Sequence, residues 1–107
     1  MRDSWIGNEL IRVLLESDSV DLKFIDVTVE LWTLFKVAHD GGAGVWINPD
    51  NRNGDVSTIW SLVGTRLVEV ALEDTVRIRF DNGSEIMVPP GNRRGAVITG
   101  VDGYDPF

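Results

Sequence analysis

Two stretches of the chain carry the same spacing of apolar residues around a shared glycine, and any fold must accommodate both. The first is Trp5-Ile6-Gly7-Asn8-Glu9-Leu10-Ile11-Arg12-Val13-Leu14-Leu15-Glu16. The second is Leu62-Val63-Gly64-Thr65-Arg66-Leu67-Val68-Glu69-Val70-Ala71-Leu72-Glu73. Gly7 falls on Gly64, Leu10 on Leu67, Val13 on Val70, Leu15 on Leu72 and Glu16 on Glu73. After a slip, Asp18-Ser19-Val20-Asp21-Leu22-Lys23-Phe24 falls on Asp74-Thr75-Val76-Arg77-Ile78-Arg79-Phe80. Self-similarity of this kind points to one structural unit used twice. The units run approximately over 5–47 and 59–103, inside one domain spanning 1–107.

The period within each unit is that of a strand. Val20, Leu22 and Phe24 alternate with Asp21 and Lys23, and Val76, Ile78 and Phe80 alternate with Arg77 and Arg79. Successive strand side chains point to opposite faces, so each reads as a half-buried antiparallel strand. Upstream, Val68, Val70 and Leu72 face the core in the second unit. By correspondence Ile11, Val13 and Leu15 face it in the first. Asn82-Gly83 matches a type I′ hairpin turn, and Pro89-Pro90 stops the return strand Ser84 to Val88. In the first unit the return strand starts at Val27 and runs on through Trp32 to Val37. Val45 to Ile47 and Ala96 to Thr99 are further strands. Between the units lies a polar loop from Asn48 to Asp55. Ser57 then caps a short helix that buries Ile59, Leu62 and Val63. The expected fold is mostly β. It has two repeated antiparallel meanders of three to four strands, packed as a pseudo-two-fold sandwich or small barrel, with one short helix between them.

Composition narrows the function classes. The chain has 107 residues, 43% of them hydrophobic, which is enough apolar material for a core. Lys+Arg is 10 and Asp+Glu is 17, a formal charge of −7 that disfavours a general nucleic-acid binder. The acids are not held in a tail, because Asp18, Asp21 and Asp26 come from the first unit and Asp50 and Asp55 from the connecting loop. With no cysteine there is no disulfide framework, thiolate zinc site or thiol nucleophile. Neither a signal peptide nor an apolar run of membrane-spanning length stands out, so the expected location is cytoplasmic.

No catalytic signature emerges. His39 is the only histidine and stands beside Asp40, but neighbours on a strand point to opposite faces. A solvated strand-end histidine is the simpler reading. Asp50, Asn51, Asn53 and Asp55 around Gly54 fail the calcium-loop pattern, with Arg52 third and Ser61 twelfth. Gly41-Gly42-Ala43-Gly44 lacks the Lys-Ser/Thr of a phosphate loop. Arg77, Arg79, Arg93 and Arg94 could form a basic face. Cross-strand pairing with Glu69, Glu73 and Glu85 accounts for Arg77 and Arg79 more simply. Of the four tryptophans, Trp5 and Trp60 are placed to seal the ends of the sandwich. Trp32 and Trp46 are the candidates for an exposed partner anchor.

The segment Val-Arg-Ile-Arg-Phe-Asp-Asn-Gly-Ser-Glu-Ile-Met-Val at 76–88 resembles an uncharacterised, largely actinobacterial domain family built of two such β-units. Leu62 to Pro89 fits its pattern well, whereas Trp5 to Leu31 fits loosely and lacks the Asp-Gly turn. The resemblance implies the fold and no activity. By size and charge alone the chain also looks like the immunity proteins of polymorphic toxins. The expected function is therefore a non-catalytic, acidic protein-binding module, an immunity-type inhibitor that sequesters a basic toxin domain. Its partner-binding residues would be Trp32, Trp46, Asp18, Asp21, Asp26, Asp50 and Asp55, with no cofactor, metal or membrane involved. The alternative is a stand-alone β-domain of structural or regulatory role, as a homodimer through an exposed sheet edge.

Overall fold

The structure, a computed structural model, describes residues 5–39, 42–49, 57–92, 95–100 and 103–106, with 100 and 103–106 described through their backbone. The expected strands form where the alternation lies. They are β1 (Leu10–Leu15), β2 (Val20–Phe24), β3 (Val27–Leu31), β4 (Phe35–His39) and β5 (Val45–Ile47) in the first half. After the helix α1 (Ser57–Trp60) come β6 (Leu67–Leu72), β7 (Val76–Phe80), β8 (Ser84–Val88) and β9 (Ala96–Gly100), followed by β10 (Gly103–Pro106), which forms where the sequence suggests only a turn at Asp102-Gly103 and a terminal tail. They assemble into two antiparallel five-stranded sheets, β1-β2-β3-β9-β10 (sheet 1) and β5-β4-β8-β7-β6 (sheet 2). The sheets pack as a β-sandwich around one continuous core. Each core Val, Leu, Ile or Phe contributes about 1.5–3 kcal/mol by leaving water.

The wiring differs from two independent meanders. β3 ends at Leu31, and Trp32–Leu34 breaks the strand instead of continuing it to Val37. That break lets the β4–β5 hairpin leave sheet 1 and join sheet 2, where β4 pairs with β8, Lys36 opposite Met87. In the mirror move, the β9–β10 hairpin leaves sheet 2 and joins sheet 1, where β9 pairs with β3, Leu31 opposite Ala96. Each sheet is thus completed by a hairpin from the other half. Laying β1–β5 on β6–β10 turns one strand order into the other.

Where β1 and β6 begin, the halves are stitched together. The Gly7 N–H donates to the Leu67 carbonyl and the Gly64 N–H donates to the Leu10 carbonyl. Leu67 N–H donates to Asn8 and Leu10 N–H to Thr65, with Glu9 opposite Arg66 between them. Gly7 and Gly64 take φ of 87° and 93°, a left-handed conformation that glycine adopts without penalty. Beside this seam the closing Phe24 and Phe80 stack with ring centroids 6.1 Å apart.

Just past the seam both strands carry a β-bulge, between Leu10 and Arg12 and between Leu67 and Glu69. The extra residue shifts the alternation by one. Leu10 and Leu67 are therefore buried, and Ile11 and Val68 are exposed instead of facing the core. Val13 is buried as expected, while Leu15, Val70 and Leu72 are partly buried against the core. The β7–β8 connection also differs from a two-residue type I′ turn. Asp81, Asn82 and Gly83 form a three-residue loop, with the Gly83 N–H donating to the Phe80 carbonyl and Gly83 at φ 86°. Ile59 and Leu62 are buried at the helix, but Val63 and Trp60 are exposed, so Trp60 does not seal the sandwich. Trp5 is buried as expected.

Candidate functional site

The outward side chains of the two sheets carry the charges, and the two faces organise them differently. On sheet 2 one row across the strands runs Glu69, Arg79, Glu85 and Ala38. Its signs alternate. Arg79 Nε lies 2.9 Å from Glu85 Oε2 and 3.4 Å from Glu69, and Arg77 Nη1 donates to Glu85 Oε1 at 2.9 Å. The hydrogen bond to Glu85 and the charges of Glu69 and Glu85 raise the Arg79 pKa above its ordinary value. Arg77 and Arg79 are thus held by Glu85 and Glu69 across the strands; Glu73 lies exposed beyond β6, while Arg93 and Arg94 lie outside the described residues. The next row runs Ala71, Arg77, Met87, Lys36 and Trp46, with Lys36 Nζ 5.6 Å from the exposed Trp46 ring. A groove of about 760 Å³ lies over these rows, lined by Lys36, Ala38, Val68, Arg77, Arg79 and Glu85 among others. It is largely neutralised from within.

Sheet 1 shows the opposite organisation. Its first outward row runs Arg12, Lys23, Thr28 and Thr99, and its second runs Leu14, Asp21, Glu30 and Val97. Here like charges stand directly opposite one another, Arg12 against Lys23 and Asp21 against Glu30. Such pairs are destabilising in an isolated sheet. Asp21 accepts a hydrogen bond from the Ser19 hydroxyl at 3.0 Å, and Glu30 accepts one from the Trp32 indole N–H at 3.1 Å. Trp32 remains 48% exposed. The acidic end is extended by the β1–β2 turn, where Glu16 N–H donates to the Ser19 carbonyl and Asp18 is exposed.

The structure therefore brings Asp18, Asp21 and Trp32 to one end of sheet 1. Asp26 is exposed at the other end of the same sheet, its N–H donating to the Asn8 side chain. Trp46 is exposed on sheet 2. Asp50 and Asp55 lie outside the described residues, as do Asp40 and the Asn51–Gly54 part of the polar loop. Glu30 is the residue that sequence reasoning passed over. Its signal was available, since the register of a β2–β3 hairpin with a two-residue turn sets Glu30 opposite Asp21.

His39 has a partner that no motif announced. Its Nδ1 lies 2.5 Å from the Ser84 hydroxyl, on the paired ends of β4 and β8. Ser84 is only 1% exposed, so the contact caps the core edge and gives solvent little access to the hydroxyl. Among the described residues no group of three or more His, Asp or Glu side chains is placed to hold a metal ion. None of the described helices is long and apolar enough to cross a membrane. Comparison with family models, with curated proteins and with solved structures finds no match.

Proposed function

We propose that the chain is a non-catalytic binding protein that engages a basic protein domain through the acidic end of sheet 1, in the manner of an immunity protein. One observation carries this reading: Trp32 is exposed while its indole is held by Glu30, beside the opposed carboxylates of Asp21 and Glu30. Partly ordered aromatic residues make good interface anchors because little side-chain freedom is lost on binding. A cationic side chain from a partner would relieve the Asp21–Glu30 repulsion and could stack on the Trp32 ring. The net charge of −7 would speed encounter with a basic domain.

The test is co-expression with the basic, toxin-like product of an adjoining gene. The wild-type chain is expected to bind that product and to protect the cells. Trp32→Ala and Glu30→Lys should each weaken binding at least about 30-fold, as loss of a hot spot does. Circular dichroism should show the fold retained. Undiminished binding and protection by both variants would overturn the reading, and so would failure of the wild-type chain to bind.

A further inference from the structure

We infer that the outer face of sheet 1 also pairs with a second copy of itself, forming a two-fold dimer face to face. This goes beyond the binding reading, because it needs no foreign partner. The basic row Arg12-Lys23-Thr28 and the acidic row Leu14-Asp21-Glu30 run side by side across the same three strands. They lie two residues apart along each strand, or about 6.6 Å. Consider a two-fold axis lying in the interface, perpendicular to the strands and midway between the rows. It leaves each strand over its own counterpart and exchanges the rows. Lys23 then faces the second copy's Asp21, and Asp21 faces its Lys23. Thr28 and Glu30 exchange hydroxyl and carboxylate in the same way. Arg12 comes over Leu14 and beside Asp21 of the second copy. The like-charge pairs that are unfavourable within one sheet become opposite-charge contacts between two sheets. An axis parallel to the strands would place basic row on basic row and is disfavoured.

The apolar residues at the two ends obey the same operation. Trp32 follows β3 at the acidic end and is 48% exposed. Ile25, in the β2–β3 turn at the basic end, is 61% exposed, and Ile11 on β1 is 52% exposed. The axis that exchanges the rows also exchanges the ends, so Trp32 of each copy comes to the Ile25 turn of the other. Sheet 2 offers no such match, since Glu85 and Glu69 already neutralise its arginines.

Five strands about 4.8 Å apart and about 17 Å long give a face of roughly 400 Å² in plan. That is at the low end for a specific interface, so the dimer is weak and depends on concentration. Where a basic partner uses the same residues it displaces the second copy, and only that step rests on the binding reading.

Sedimentation equilibrium of the purified chain alone, at 0.15 M salt and from micromolar to millimolar, tests the dimer. The mass is expected to rise from 11.9 kDa toward twice that value. Lys23→Glu and Asp21→Lys, each alone, should move association to at least tenfold higher concentration. An equimolar mixture of the two should restore it, because Glu at 23 then faces Lys at 21 and Asp21 faces Lys23. Ile25→Asp, at an exposed turn, should give the same loss without altering the charged rows. Arg77→Ala on sheet 2 should leave association unchanged. A monomer at every concentration, a dimer insensitive to Lys23→Glu, or no recovery in the mixture would each overturn the inference. Binding of a toxin domain would be untouched by those results, which keeps the two readings separable.

Discussion

Gly64 does two things at once at the seam: it turns the chain with positive φ and gives its N–H to Leu10 across the molecule. A Cβ there would meet no atom within 4 Å, so only the backbone conformation opposes a side chain. Gly64→Ala is therefore expected to destabilise by about 1 kcal/mol, the cost of a left-handed L-residue. Gly95 is the contrasting case. Its added Cβ would lie 2.4 Å from the Thr33 Cβ, so Gly95→Ala must displace Thr33 and should cost clearly more. Urea unfolding of the two variants measures the difference, and equal losses would contradict this account. The seam glycines were legible as a matched pair in the sequence, because each precedes the same apolar pattern. Their hydrogen bonds to each other's leucines were not, because a glycine spacing says nothing about which distant carbonyl it meets. At the candidate site, exposed Trp32 and the carboxylate of Asp21 were likewise legible as residue types. The clamp from Glu30 that orients Trp32 appears only once the register is known.

At the scale of the strand, period-two alternation was enough to place β2, β3, β7 and β8, where every core-facing position is buried. It failed at β1 and β6 for one physical reason. A bulge adds a residue without adding a pleat, so alternation counted back from the far end of the strand lands on the wrong side. Nothing in Leu10-Ile11 or Leu67-Val68 distinguishes the residue that turns in from the one that turns out, since both are large and apolar. The bulge makes an unequal prediction for these neighbours. Leu67→Ala should cost about 2–5 kcal/mol, as for other fully buried leucines. Val68→Thr, at an exposed position, should change stability by no more than about 0.5 kcal/mol. Thermal or urea unfolding that ranked Val68→Thr above Leu67→Ala would contradict the bulged register. The turn from β7 to β8 was foreseen in place but not in length, because Asn-Gly serves a three-residue loop as well as a two-residue one.

The whole molecule is held together by exchange. Each sheet owes two of its five strands to the other half, through Leu31 against Ala96 and Lys36 against Met87. Alternation marks most strands of each unit, but not the break that separates β3 from β4 and not β10, and it cannot say which sheet β4 and β9 join. The choice depends on the break at Trp32–Leu34 and on tertiary pairing, not on propensity. Exchange has a thermodynamic consequence. Neither half can complete a sheet alone: each keeps three strands in one sheet and a hairpin that belongs to the other, and a chain of about 54 residues divided in this way buries too little surface for a core of its own. The stabilising pairs are also distant in sequence, so loops must close before they contribute, and folding should take milliseconds to seconds. Fragments 1–54 and 55–107, each alone at low micromolar concentration, are therefore expected to show no cooperative urea transition. Mixed in equal amounts they should regain the strand circular dichroism and the fluorescence of buried Trp5, because each supplies the hairpin that the other lacks. A cooperative transition in either isolated fragment would mean that a half closes its own sheet, against the exchanged topology.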